Sequence, residues 1–557
     1  MRSKLSLGNR DLKLAAHAGA IALLALPAAA AAQESDPRAA QAAFERARVA
    51  LLPWSWDPGS GRCDEIVGRF CYRHESGVDR PPPPEPAGVA GARDSLLVVL
   101  DAAAKRDPAD GWVVGQRVRY RIEAGRAAEA VAVAMACGAE PWWCAALEGA
   151  SRHAAGDFAA AELAFDLALT TMPVAERERW TDLEPILDAV SGRIWRGLAP
   201  GAREAFARRL WWVADPLWSV PGNERRTEHL SRHVWDGMQD GAASAYDVAW
   251  GADLRALLVR YGWPAWWERV RGDLGRLGGG GRPGVVAHDP PGAKRFVPSL
   301  AAIADPAVAD ASEWALDHPS PPATYAPSYA RRFVSLEPQI ARFRRQHGAI
   351  VAIGWAPPDS LAADSRSLAL TALASEGPDR PFVADSVRVS AEGGSLAIAV
   401  PWPRAVLGVE VRGAALAGRW RAGVELPAAA TRGPAISDLL LLASPAVLPA
   451  SLAEAIPLAR GSSHAAPGER LGVFWEAYPP EGAAEGPVAI ALAIRDQEGE
   501  PGALRWSETF PAGERVVPRA VVLRIPVLRP GDYVLQVEIV WPRAGARRAQ
   551  RAFTIAP

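Results

Sequence analysis

Partway along this chain the hydrophobic period changes, and the change confines it to a multidomain α + β architecture. Beyond residue 349, apolar residues take alternate positions in runs of five to nine, from AIVAIGW (349–355) to RAFTI (551–555). Turn residues such as Gly377-Pro378 and Gly393-Gly394 separate the runs. Period two over such lengths predicts half-buried strands. Seven runs between 349 and 442 predict one antiparallel β-sandwich over residues 336–445, introduced by a short helix over 336–345. Six more between 471 and 555 predict a second sandwich over 446–557.

Upstream the apolar spacing is helical. Residues 37–52 have helical composition, with Asp36 as N-cap, Pro37 at the first helical position and Pro53 as the stop. They belong to a small N-terminal segment, 33–80, closed by Arg80-Pro-Pro-Pro-Pro-Glu-Pro86. That run can be neither helix nor central strand, and it marks a linker over 81–90. Over 91–200 the chain repeats itself: Gly125, Ala130 and Cys137 recur as Gly156, Ala161 and Ala168, a shift of 31 residues. Small residues here let two helices approach, Phe165 fills the gap and Gly156 permits the turn. The second copy, EGASRHAAGDFAAAELAFDLALTTMP, resembles a tetratricopeptide repeat at Gly149, Gly156, Ala161, Phe165, Ala168 and Pro173. The first copy carries Ala134 where that family places its aromatic residue. The resemblance implies stacked helical hairpins whose concave groove takes a peptide or protein.

The first 32 residues read as a secretory signal. Arg2, Lys4, Arg10 and Lys13 precede a largely apolar run over 14–26, and small residues follow as far as Ala32. As a helix that run would reach about 20 Å, short of the ~30 Å of a bilayer's hydrocarbon. No later run is long enough either, so no membrane span is expected after cleavage, and the location is periplasmic or extracellular. In an oxidising compartment Cys63, Cys71, Cys137 and Cys144 fall into two close pairs, which favours two local disulfides among the three connectivities that four cysteines allow. The rival is a metal site with His74 three residues after Cys71, but the paired CxxC spacing is missing. No metal or cofactor is expected. A net charge of −1 argues against a nucleic-acid partner.

Residues 201–275 are crowded with tryptophan. Phe206, Leu210, Trp211 and Val213 have helical spacing, Ala214-Asp-Pro-Leu-Trp218 breaks it, and another helix follows Pro221 with Gly222 or Asn223 near its cap. ADPLW…PGNERRTEHLSRHVW, followed by AWGADLRALLVRYGWP, resembles the GWxTD family of bacterial exported proteins. The motif is carried by Ala249-Trp250-Gly251-Ala252-Asp253: Trp250 and Asp253 match, while Ala249 replaces the glycine and Ala252 the threonine. Arg255, Leu257, Val259, Arg260, Tyr261, Gly262 and Pro264 continue the family pattern. The resemblance implies an exported protein and attaches no reaction to it. Residues 254–261 suit a helix or a buried strand. Trp250, Trp263, Trp266 and Trp267 form either a local aromatic core or a stacking platform for sugars or proline-rich peptides.

Candidates for chemistry are few. His229 and His233 lie four apart on one helical face, yet without the HExxH order, and a solvated face is expected. Asp215, Glu224, Glu228 and Asp253 could supply an acid/base pair. Residues 278–284 formally satisfy GxGxxG but neither leave a strand nor enter a helix. They belong to a Gly/Pro-rich connector over 276–335, which Tyr325 and Tyr329 are expected to pin down. LRPGDY (528–533) resembles the turn entering the penultimate strand of fibronectin- or immunoglobulin-like domains, which gives Tyr533 a structural role. The function expected is a non-enzymatic scaffold that contacts a protein partner through its helical repeats. The alternative is an exported enzyme or binding protein acting on cell-wall or other polysaccharide, with its site at the helical–β junction.

Overall fold

The computed structural model describes residues 36–555 apart from 55–62, 75–81, 271–283, 391, 428–432, 482–484, 543 and the stretches flanking Leu361 (359–360, 362–366) and Gly499 (497–498, 500–501). The signal segment, Arg80, Pro81 and most of the Gly-rich run lie outside the described residues. The N-terminal half is helical and the C-terminal part is built of sheets, a multidomain α + β fold.

Helix α1 (Pro37–Leu51) starts as expected, with the Asp36 carboxylate accepting from the N–H groups of Arg38 and Ala39. Helix α2 (Ala87–Arg106) begins as soon as the prolines end, so the last residues of the expected linker are helical, and Val89 is buried. Two hairpins follow: α3 (Gly111–Glu123) with α4 (Ala127–Met135), and α5 (Pro141–Ala154) with α6 (Phe158–Thr171). Their turns use Gly125 (φ +72°) and Gly156 (φ +79°), in the left-handed region that glycine enters without strain. A methyl group on Gly149 would sit 2.8 Å from the Phe165 ring, which is why this helix crossing needs a residue without a side chain. The N-terminal segment is bonded to the first hairpin. Phe44 packs edge-on against Tyr120, and Glu45 accepts from the Tyr120 hydroxyl (2.6 Å) and Arg119 (2.9 Å).

Both expected disulfides are present. Cys63–Cys71 closes the hairpin of β1 (Glu65–Val67) and β2 (Phe70–Tyr72), and Cys137–Cys144 spans the turn between α4 and α5. Each removes loop freedom from the unfolded chain, so Cys137→Ser/Cys144→Ser should lower stability by about 2.5 kcal/mol in urea titrations. No change in the midpoint would show that the hairpins hold themselves together.

The central region adds α7 (Val174–Thr181), α8 (Ala189–Gly197), α9 (Pro200–Ala214), α10 (Glu224–Gly237) and α11 (Ala252–Tyr261). Residues 254–261 are therefore helical. Asn223 caps α10 by accepting from Arg226 N–H, and Gly222 (φ +82°) makes the turn into it. The region is not wholly helical, however. After Gly262, Trp266–Val270 forms β3, which pairs antiparallel with β4 (Gly284–His288) in the expected connector. A Trp-Trp-Glu-Arg-Val run favours a pleated surface over a helix. The rest of the connector is packed, with Phe296, Trp314, Leu316 and Tyr325 buried.

The first sandwich comprises β5 (Arg332–Ser335), β6 (Gln339–Arg344), β7 (Ala349–Trp355), β8 (Leu368–Ser375), β9 (Val383–Val389), β10 (Gly394–Val400), β11 (Arg404–Arg412) and β12 (Leu416–Glu425). Its sheets, β10-β7-β6 and β5-β12-β11-β8-β9, close on a core that includes Val351, Ile353, Leu370, Leu396, Leu407 and Val409. The helix expected over 336–345 is strand β6. Gln339, Ala341 and Phe343 point inward between half-buried Ile340, Arg342 and Arg344, a period of two. The buried Gln339 amide keeps that alternation by donating to the carbonyls of Leu441 (3.0 Å) and Arg460 (2.8 Å).

The second sandwich contains β13 (Ala435–Ile436), β14 (Leu440–Leu442), β15 (His464–Ala465), β16 (Arg470–Tyr478), β17 (Gly486–Arg495), β18 (Gly502–Phe510), β19 (Val517–Arg524), β20 (Gly531–Trp541) and β21 (Gly545–Ile555). ISDLLLL, expected to end the first sandwich, instead supplies β13 and β14, which pair along one edge of β16 while β19 takes the other. Its alternate leucines reach two cores, Leu441 that of the second sandwich and Leu440 a cluster with Phe343 and Phe474 between the sandwiches. Neither sandwich is strictly antiparallel, since β5–β12 and β15–β21 are parallel edge pairs. The Tyr533 hydroxyl donates to the Arg529 carbonyl at 3.1 Å, the corner bond expected of it.

Candidate functional site

The residues of the GWxTD-like motif converge, and what they build is a clamp. The Trp250 indole N–H and the Arg255 guanidinium donate to the two oxygens of Asp236 (2.8 and 2.7 Å), tying α11 to α10. Asp253, in the first turn of α11, accepts from its own Leu254 N–H (2.8 Å) and from Arg69 (2.6 and 2.8 Å) in the disulfide-closed hairpin. That hydrogen-bonded guanidinium holds the Asp253 carboxyl far below the usual carboxylate range. Tyr261 stacks on Tyr72 of the same hairpin with ring centres 4.0 Å apart and donates to Glu65 (3.1 Å). Gly262 (φ +88°) ends α11, and Pro264 is buried beyond it. At this helix end Arg232 of α10 donates to the carbonyls of Val259 (3.1 Å), Arg260 (2.8 Å) and Thr324 (2.7 Å), and to Glu228 (2.7 Å).

The tryptophans around the clamp are half-buried. Trp263 stacks on Trp235 (4.8 Å) and contacts Trp250 and Trp267, while Trp266 stacks on His288 (4.6 Å). Trp250 and Trp263 pack against the core of the repeats. The buried indole N–H groups of Trp263 and Trp267 have no acceptor, against the expectation that each finds one.

Helix α10 occupies the place where a repeat protein would receive its ligand. It runs along α5, with Thr227 and Glu228 at His153 near one end and Gly237 against the Trp143 ring near the other. The expected solvated face of His229 and His233 is therefore wrong. Both are buried, because helices wall α10 on several sides. His229 bonds the Trp180 carbonyl (3.2 Å), and His233 stacks on the Trp180 ring. Burial, then the charges of Arg179, Arg255 and Arg232, push His233 down to about 3, and burial pushes His229 down too. Among the described residues no three metal-type ligands gather.

One arrangement escaped sequence reasoning because its members are 74 residues apart. Thr227 Oγ1 lies 2.9 Å from His153 Nδ1, and Glu228 lies 2.8 Å from His153 Nε2. Hydroxyl, imidazole and carboxylate thus stand in the order of a nucleophilic triad. Thr227 is wholly buried, however, and its hydroxyl donates to the carbonyls of Glu224 (3.1 Å) and Asn223 (3.2 Å), so the linkage fastens α5 to α10.

Of the four carboxylates singled out in the sequence, Asp215 and Glu224 meet at the helical–β junction; Glu228 and Asp253 lie in the linkages above. The Ala214-Asp-Pro-Leu-Trp218 break plugs into β11 and β12. Glu410 accepts from the N–H groups of Trp218 (2.8 Å) and Ser219 (2.9 Å) and from Arg421 (3.2 Å). Arg421 lies over the Trp218 ring at 3.7 Å, and Arg419 donates to the Asp215 carbonyl. Glu224 accepts from Tyr329 (2.8 Å), so Tyr329 does pin the connector. Burial raises Asp215 well above the carboxylate range, helped by the charge of Glu224; burial likewise lifts Glu224 to about 8. Both are protonated at neutral pH and sealed from solvent.

The largest opening described is a cleft of about 710 Å³ between α6, α7, α9 and α10. Trp180, Trp211, Leu169, Leu183 and Leu230 line it. Its rim carries Glu162, Asp166, Glu204 and Asp379 against Arg208 and Arg226. Arg226 is held by Asp166 (2.5 Å) and Glu162 (3.6 Å), and Arg208 lies 3.9 Å from Asp379. Sequence reasoning missed this site because its walls come from four helices of unrelated pattern.

No protein-family model matches the chain, and no curated protein does. Among solved structures it is similar to the red sea bream transglutaminase, at 14% identity and a TM-score of 0.16, over 41% of this chain and 32% of that one. It is similar to a Bacteroides uniformis β-glucuronidase at 11% identity and a TM-score of 0.16, over 38% of this chain and 26% of that one. The chain thus spans about a third or less of the length of these structures, and likenesses this slight carry no argument.

Proposed function

We propose that this chain is an exported, non-enzymatic scaffold, kin to the GWxTD proteins and delivered by the leader at residues 1–32, which binds another protein in the tryptophan-lined cleft. The observation that carries the reading is an open apolar floor beside large exposed side chains: Leu163 and Leu167 of α6 border the cleft at 73% and 57% exposure. The inner face of the repeats, the surface a repeat protein ordinarily offers, is filled by α10, which moves the partner to the cleft. Two disulfides fit an oxidising compartment, and among the described residues no helix is long and apolar enough to cross a membrane.

The test is a photo-crosslinking residue in place of Arg208, more than half exposed on the cleft rim, irradiated in the native envelope fraction. A discrete protein adduct, lost when Trp211 is also changed to Ala, is expected. Retention on a polysaccharide column that depends on Trp211, with no protein adduct, would replace this reading with sugar binding.

A further inference from the structure

We propose that the cleft accepts one amphipathic α-helix of a partner, apolar along one face and flanked by lysine or arginine, laid against α6 where the next repeat would have stacked. The proposal rests on the protein-binding reading above and adds the chemistry of the occupant.

The spacing of the helices defines the vacant position. Helices α4, α6 and α8 begin at Ala127, Phe158 and Ala189, each 31 residues after the last. The third pair, α7 and α8, therefore starts on the repeat's schedule. It is stunted, at eight and nine residues against fourteen each for α5 and α6. Trp180 is the one buried residue on α7. The side of α6 that a full third hairpin would cover thus keeps Leu163 and Leu167 in solvent, with Val174 following at 57% exposure. A stacked array ends stably on a polar cap, whereas this one ends on leucines spaced i, i+4, the spacing that a helical partner's own apolar stripe meets.

Charge selects the partner's flanks. The rim bears four carboxylates and two guanidinium groups, and both guanidinium groups already face carboxylates of the same rim. The acidic excess attracts a basic flank and repels an acidic one. The tryptophan and leucine floor accounts for the stripe between.

The probe is a labelled model helix of roughly 18 residues, with leucines at i, i+3, i+4 and lysines on either side, followed by fluorescence anisotropy on the full chain. It should bind, while an analogue with glutamates for lysines, and one broken by a central proline, should bind at least about tenfold more weakly. Leu163→Glu/Leu167→Glu, at positions exposed enough to leave the fold intact, should weaken the lysine helix about tenfold. Glu204→Lys/Asp379→Lys should invert the preference between the lysine and glutamate helices. Equal binding of those two helices, undiminished binding of the proline-broken one, or no binding of the lysine helix would overturn the proposal. If the lysine helix fails while the crosslinker at position 208 still captures a protein, only the occupant's chemistry falls. If both fail, the protein-binding reading falls with it.

Discussion

Between pH 5 and pH 9, Glu224→Gln should gain on the order of 4 kcal/mol of stability relative to the unaltered chain. Glu224 titrates near 4.5 when unfolded and at about 8 in the junction. The folded state therefore holds a proton that the unfolded state releases, and folding loses stability steadily as pH rises from about 4.5 to 8, with no further loss above. Burial is the main cause; Glu410 adds repulsion, while the Tyr329 hydroxyl and the charges of Arg412 and Arg419 oppose it. Asp215 acts in the same direction. His229 and His233 act in the opposite direction below about 6.5, because they are neutral when folded and must stay so as pH falls. The comparison with Gln cancels them, since both chains carry both histidines. Urea unfolding followed by the helical circular dichroism signal measures the difference, and parallel pH profiles for the two chains would show that Glu224 titrates normally.

The other large effect is expected at Arg232. It is 2% exposed and satisfies three carbonyls at the end of α11 and in the connector, together with the Glu228 carboxylate. Arg232→Met keeps the volume and strands all four acceptors, which should cost about 3–5 kcal/mol. Arg232→Lys should recover less than half, because one ammonium cannot span the acceptors that a planar guanidinium reaches in several directions. Denaturant midpoints measure both. A loss below about 1 kcal/mol for Met would mean that water replaces the guanidinium.

The strands were legible because their signal is local: a period of two survives whatever lies across the sheet, and every run read from 349 onward falls on a strand. The misreading over 336–345 has the same origin. Gln339 takes an inward position and Arg342 and Arg344 crowd the run, so the alternation appears only once Gln339 is paired with Leu441, about a hundred residues on. The hairpin glycines and the Tyr533 corner bond were legible for similarly short-range reasons. The histidine pair was not. Spacing puts His229 and His233 on one face, and only the tertiary fold decides whether that face meets water or Trp180. The junction was half legible: Asp215 and Glu224 stood out as carboxylates, but their protonation depends on Glu410 and Arg419, nearly two hundred residues downstream.

The break at 214–218, seated in the β-sheet through bonds to a residue 192 positions later, also orders events in time. A chain secreted N-terminus first presents its helices long before β11 and β12 emerge, and contacts of such separation form slowly. Through that interval Asp215 and Glu224 remain hydrated and ionised. Docking of the two halves is then a late step that draws protons from the medium, so it should quicken in acidic surroundings and lag in alkaline ones.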